Sequence, residues 1–324
     1  MAKRPNLTIS DDALRVVQGF AGHLKTIGRQ AATIDSYCRD ARSFVSWIHQ
    51  LGLSLASVES ETLVAFEEHL RGDRAERENS IRRSIIGVRL FYRHLVDVKV
   101  VSSTPFDQVP IPQRQEDLPK ALSHVDIEAL LEGAGQDSSK VRASRNLAIV
   151  AALAYEGIKA TELIELTWGG YLSISDGASL HLGGLRSRAI TLSPETKAYF
   201  DDWRAQTAQI LGVETPPRAT KIFAAFQGRD GLTLLPTMTR HGLKFVMYEV
   251  GALANLQHLN TELLRHHAVS HLLSLGKSIE DIKAHLGLRR SGIVGKHAAV
   301  HELEAATEIS TVPTVPTAPT AAAP

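Results

Sequence analysis

A single cysteine, Cys38, stands in 324 residues. That excludes an internal disulfide framework and suits a reducing, cytoplasmic compartment. In a helical setting such a residue is most simply a small buried apolar one. No stretch approaches the ~20 consecutive apolar residues that a membrane span needs, so no membrane partner is expected. The opening MAKRPNLTISDDALR puts no apolar run behind its basic residues and does not read as a secretory signal. Neither charge sign dominates: 36 Lys and Arg stand against 35 Asp and Glu, a formal net charge of +1. This balance alone would suit an ordinary enzyme as well as a nucleic-acid binder. No internal repeat is visible, and no tyrosine follows Tyr248.

The length is enough for two ordinary domains, each able to bury its own core. A hydrophobic share of 44% and a charged share of 22% are those of soluble globular proteins. Charge is more informative by position than in total. Residues 236–301 carry Arg240, Lys244, Arg265, Lys277, Lys283, Arg289, Arg290 and Lys296 against only Glu249, Glu262, Glu280 and Asp281. Such a basic surplus could attract phosphate, and the plainer alternative is a solvated face.

The first ~110 residues read as a helical bundle. Ile34, Tyr37, Cys38, Ala41, Phe44, Val45 and Ile48 recur at steps of three and four, the mark of one buried helical stripe. Leu63, Phe66 and Leu70 begin a second. Ile81, Ile85, Val88, Leu90, Phe91 and Leu95 form a third, with Arg82, Arg83, Arg89 and Arg93 between them. Prolines at 105, 110, 112 and 119 then remove amide donors faster than a helix tolerates, so a linker is predicted there, at 111–120. Ser123 with Asp126 resembles a capping box opening a helix through Leu131. Residues 145–168 are patterned as two apolar helices joined at Glu156-Gly157. Residues 171–192 alternate and turn as a short antiparallel meander. Helices are predicted again from Glu195 and over 237–256, 261–275 and 278–286. The Pro/Thr/Ala tail at 310–324 lacks core-forming residues and is expected to be disordered.

Several segments, in order, resemble the tyrosine recombinase (phage integrase and Xer) family: TIDSYCRDARSFVSWI, IRRSIIGVRLFYRHL, RNLAIVAALAYEGIKATELIELTW and LLRHHAVSHLLSLGKSIEDIKAHLG. The resemblance covers roughly residues 20–300. It implies a mainly α fold with a small β-meander: a SAM-like helical core-binding domain at 1–110, and a catalytic-type domain at 121–309. It also implies strand cleavage by a tyrosine, which attacks the scissile phosphate and leaves a 3′-phosphotyrosyl bond. Two arginines and a histidine or tryptophan would stabilise the phosphorane, and a lysine on a β-turn would protonate the leaving 5′-hydroxyl. Donors aimed at that charge are usually the largest catalytic contribution, about 100-fold each or more. No ATP or other cofactor is implied, since the covalent intermediate conserves the bond energy.

This chain departs from that pattern at nearly every chemical position. Lys159 takes the first arginine's place and lacks its bidentate fork. Gly183 falls where the leaving-group lysine belongs, with Arg186 the nearest base. Glu262 replaces a histidine, Leu288 replaces the histidine or tryptophan, and His297 stands at the nucleophile's position; Arg265 alone is retained. The expectation is a DNA-binding relative without cleavage chemistry, accessory or regulatory in recombination or integration. Its partners would be double-stranded DNA and either an active tyrosine recombinase or a second copy, and its place the cytoplasmic nucleoid. Phosphate contacts are expected from Arg82, Arg83, Arg89, Arg93, Lys159, Arg186, Arg188, Arg265, Arg289 and Arg290. Two alternatives remain: a strand-transferase using His297 as nucleophile, and a protein-interaction scaffold that no longer binds DNA. His267 and His271 have the i, i+4 spacing of a metal pair, but no third ligand is evident, and no metal is expected.

Overall fold

The computed structural model describes residues 11–115, 121–174, 176–184, 186–227 and 233–300. The tail expected at 310–324, and 301–309 before it, lie outside the described residues. The chain divides between residues 117 and 118 into two compact units.

The first unit is the expected bundle: α1 (Asp11–Thr26), α2 (Ala31–Gln50), α3 (Ser60–Arg71) and α4 (Glu78–Asp97). The predicted stripes supply its core, from Cys38, Ala41, Phe44 and Ile48 on α2 to Ile81, Ile85, Val88 and Phe91 on α4. Phe44 is its hub, meeting Phe66, Tyr92 and Phe106 edge-to-face at centroid distances of 5.0, 5.9 and 6.0 Å. Such pairings add about 0.5–1.5 kcal/mol each beyond area burial. Gly87 lets α4 cross close to α2; a Cβ there would stand 3.2 Å from the Tyr37 ring.

The proline-rich stretch ahead of the expected linker packs on the bundle, and that packing runs two residues past 110, to Pro112. Phe106 is fully buried in the bundle core and Val109 nearly so. The arginines of α4 hold this stretch down. Arg82 Nη1 donates to the Pro112 carbonyl (2.5 Å), Arg89 donates to the Val109 and Asp107 carbonyls (2.9 and 3.0 Å), and Arg93 reaches the Asp107 carboxylate (3.1 Å). Proline density announces the lack of a helix but not the lack of packing, so residues 104–112 are part of the first unit.

The second unit contains α5 (His124–Gly135), α6 (Lys140–Ala154), α7 (Ala160–Leu163), the strands β1 (Tyr171–Ile174), β2 (Gly177–Leu182) and β3 (Arg188–Thr191), then α8 (Pro194–Leu211), α9 (Arg240–Leu253), α10 (Thr261–Ser274) and α11 (Ile279–His285). The Ser123–Asp126 capping box is formed, with the Asp126 amide 3.1 Å from Ser123 Oγ and the Ser123 amide 2.8 Å from Asp126 Oδ2. α6 is the core helix, buried without break from Ala148 to Ala154. The sheet is antiparallel in the order β1-β2-β3, with Tyr171 opposite Leu180 and Leu182 opposite Arg188. The second apolar helix expected before residue 168 is only the single turn of α7. Gly157 takes a positive φ of 60° just before it, and the chain is extended again by Thr167. The α9, α10 and α11 patterns were placed to within a few residues.

Limited proteolysis should therefore cut first between Gln113 and Lys120. Two folded pieces should result, the first retaining Phe106. A first cut inside 104–112 would contradict the packing of that stretch.

Candidate functional site

α11 ends with carbonyls that no further turn can satisfy, at the negative end of its backbone dipoles. Three arginines from two other elements serve them. Arg188 Nε donates to the His285 carbonyl (2.7 Å), Arg265 Nη2 to the Leu286 carbonyl (3.0 Å) and Arg186 Nη1 to the Gly287 carbonyl (3.1 Å). Gly287 is required twice over. Its φ is +59°, and a Cβ there would sit 2.7 Å from Arg188 Nη1. Gly157 plays the matching part on the α6–α7 turn: with φ +60°, a Cβ would meet Leu286 Cδ2 at 2.4 Å. The two glycines let the α6–α7 turn, the β2–β3 hairpin, α10 and the end of α11 converge.

Lys159, Arg186, Arg188 and Arg265 thereby come within electrostatic reach of one another. Their chief counter-charge is Glu162, whose two oxygens accept from the Arg188 guanidinium at 2.9 and 3.1 Å while the Lys159 amide donates at 3.1 Å. Burial works against the Glu162 carboxylate, yet these donors hold it below its ordinary range. Burial, opposed by Glu162 and aided by the neighbouring arginines, pushes Lys159 down. Arg265 is also pushed down, by burial first, and its Nη1 is buried with no partner among the described residues. Lys159, Glu162, His181, Gly183, Gly184 and Arg186 line a cleft of about 850 Å³ beside this cluster.

The remaining expected positions are built for packing or solvent. Gly183 is exposed in the β2–β3 hairpin, and Glu262 is exposed in the first turn of α10, where an acid suits the helix N-terminus. Leu288 packs with Val269, Leu272, Ile282, Leu286 and Val294. Arg289 and Arg290 are exposed. His297 lies in the helical segment 292–300 and is only 3% exposed. Its Nε2 is 2.8 Å from His266 Nδ1, and its Nδ1 is 3.1 Å from Ser270 Oγ. Burial, with the His266 charge behind it, pushes His297 down to about 4. His267 hydrogen-bonds the Leu122 carbonyl (2.8 Å) and His271 packs on Tyr155. No group of three metal-capable side chains occurs among the described residues.

In the first unit, the four arginines of α4 are all engaged within the unit: three hold 104–112, and Arg83 forms a bidentate pair with the buried Asp40 at 2.9 and 3.0 Å. Spacing showed that they share a helix but not what lies opposite. Sequence reasoning also missed Glu162, which sits in plain view in the ATEL motif, and His181, which faces Ser187 across the hairpin at 3.1 Å and carries no local signal.

The chain is thus a helical bundle followed by a mainly helical unit with a three-stranded sheet and a cleft lined by Lys159 and Arg186. Residues 17–99 match the family model described as the phage integrase N-terminal SAM-like domain. Tyrosine recombinase XerD of Pseudomonas putida is 27% identical over 262 residues, covering 78% of this chain and 81% of the relative. Tyrosine recombinase XerC of Bacillus licheniformis is 25% identical over 259 residues, covering 79% and 81%. The fold is shared with the XerH site-specific recombinase bound to its palindromic difH substrate (TM-score 0.67, 13% identity, 94% of this chain and 90% of that one). It is also shared with a lambda integrase dimer bound to a COC′ core site (TM-score 0.61, 14% identity, 88% and 94%). In sequence the chain is similar to these tyrosine recombinases, and it shares the fold of the solved ones.

The buried His297 makes stability depend on pH. Its folded pKa of about 4 lies below the ordinary 6.5, so the unfolded chain binds the proton more readily. The stabilisation is complete above pH ~6.5 and is lost as pH falls towards 4, by up to about 3 kcal/mol. Urea unfolding across that window should show a slope that His297→Gln reduces by about one proton. An unchanged slope in the variant would contradict the buried neutral ring.

Proposed function

We propose that this chain binds double-stranded DNA through backbone phosphates without cleaving it, as an accessory or regulatory member of a recombination or integration system. The observation that carries the reading is His297. At the family's nucleophile position stands a buried imidazole with both nitrogens hydrogen-bonded. A ring so placed has neither a free lone pair nor access to a phosphorus atom. Gly183, Glu262 and Leu288 supply no proton or phosphorane donor where the family uses one, so a phosphate at this site would be held but not activated.

Binding chemistry is retained. Lys159, which is part-exposed, and the exposed Arg186 both line the cleft, so an anion there would meet two positive side chains. Arg289 and Arg290 are exposed nearby in sequence, and their side chains have no hydrogen bond or ion pair among the described residues. XerH and lambda integrase, which share the fold, are bound to a difH substrate and to a COC′ core site in their structures, the latter as a dimer, and the Tn1549 transposon integrase is in complex with circular intermediate DNA. A second copy or an active recombinase is thus a fitting protein partner, and the nucleoid a fitting place. No cofactor is needed. The internal engagement of Arg82, Arg83, Arg89 and Arg93 favours the scaffold reading to one degree: it removes four phosphate contacts from the expected set. The test is the salt dependence of duplex binding. Each lost phosphate contact lowers the log–log slope by about 0.9.

Arg289→Ala with Arg290→Ala should flatten that slope by up to about two units and leave unfolding unchanged. Arg83→Ala should instead cost stability, about 1–3 kcal/mol for the orphaned Asp40, and leave the slope intact. Absence of binding to any duplex at low salt would replace this proposal with the scaffold reading.

A further inference from the structure

His94, on the inner face of α4, is only 6% exposed, and its Nδ1 is enclosed without a hydrogen-bond partner. A buried polar atom is normally matched to a donor, an acceptor or an ion. Neither Nε2 of the same ring nor the half-buried His23 ring on α1 makes a hydrogen bond or ion pair among the described residues. The two imidazoles lie together, with ring centroids 5.0 Å apart and planes 36° from parallel. Burial first, and then the His23 charge, pushes His94 down, with Asp97 opposing. The ring is therefore neutral at pH 7 and keeps a lone pair. α1 leaves this pair open. Gly19 and His23 are four residues apart and so neighbours on one face of the helix. A Cβ at Gly19 would stand 3.4 Å from His94 Nε2, and one at Gly22 would meet nothing within 4 Å. Glycine is a poor residue for a helix interior, and nothing packed against Gly22 demands its small size.

Two adjacent imidazoles with free nitrogens, beside helix positions that carry no side chain, are the donor set of a borderline divalent cation such as Zn2+, Ni2+ or Cu2+. Mg2+ and Ca2+ ask for oxygen ligands instead. We infer that His23 and His94 form a site for a divalent transition-metal ion of the Zn2+ class, which clips α1 to α4. No group of three metal-capable side chains occurs among the described residues, so water completes the coordination and the ion is exchangeable. Such an ion gives the His94 ring the partner that the bundle does not supply. It also stabilises the first unit, because the unfolded chain does not hold the two imidazoles together. The site is independent of the DNA-binding proposal, since every residue of the cleft belongs to the second unit.

The test uses the full-length protein without a polyhistidine tag. Zinc titrated against a chromophoric chelator should reveal one site per chain in the micromolar range, which a large excess of Mg2+ does not displace. His23→Gln, at a half-buried position outside the core, should weaken that site by about tenfold or more while the circular dichroism stays that of the wild type. His94→Gln should give the same loss; should its burial make it fold poorly, His23→Gln still decides. Cu2+ in the site should give a paramagnetic resonance spectrum with two coupled nitrogens, reduced to one in His23→Gln. Zinc in about tenfold excess over its Kd should raise the unfolding temperature of the wild type by about 5–10 °C and leave that of His23→Gln where it was. Zinc affinity that His23→Gln leaves unchanged, or a wild-type copper spectrum with no second nitrogen, would overturn the site. So would a wild-type protein that takes up no zinc, the result expected if a water molecule serves the two rings instead.

Discussion

Three consecutive carbonyls at the end of α11 need donors, and Arg188, Arg265 and Arg186 supply them. Each bond satisfies a group whose burial without a partner costs about 1–3 kcal/mol. Together they do more than stabilise one helix end. The β2–β3 hairpin, α10 and α11 share no continuous secondary structure, and this clasp fixes their mutual position. It also decides what the arginines can still do. Arg188 is spent on His285 and Glu162, Arg186 is tied to Gly287, and Arg265 has one arm committed and one left over. What the cleft itself still presents is Lys159 and Arg186.

The same constraint separates the positions that hold the fold from those that are free to vary. Gly157, Glu162, Arg188, Arg265 and Gly287 form one interlocked unit in which a change at any member leaves an orphaned group or a clash. Positions outside this unit answer to local packing alone. Leu288 joins an apolar cluster, Glu262 suits a helix start, and His297 finds two hydrogen-bond partners on α10. None of these substitutions disturbs the clasp.

Much of the fold was legible because it rests on local, periodic signals. The α2 and α4 stripes, the Ser123 cap and the 171–192 meander are each set by residues within a turn or a hairpin of one another. What was hidden depends on long-range pairing. Nothing local distinguishes Arg89, which holds a carbonyl 20 residues away, from an arginine waiting for phosphate. Proline spacing at 105, 110 and 112 says that amide donors are missing, not that Phe106 fills the hole beside Phe44 and Tyr92. In the second unit the burial of His297 between His266 and Ser270 was not readable either. That burial rests on contacts across about 30 residues of chain.

Whether this protein has lost strand cleavage is decided most directly by covalent capture. Incubated with nicked suicide duplexes that it binds, with and without divalent metal, the unmodified protein should give no protein–DNA adduct on a denaturing gel. His297→Tyr alone should give none either, because the phosphate would still face Glu262 and lack a leaving-group lysine. An adduct from the unmodified protein that disappears in His297→Ala would contradict the account and make this chain a histidine-dependent strand-transferase.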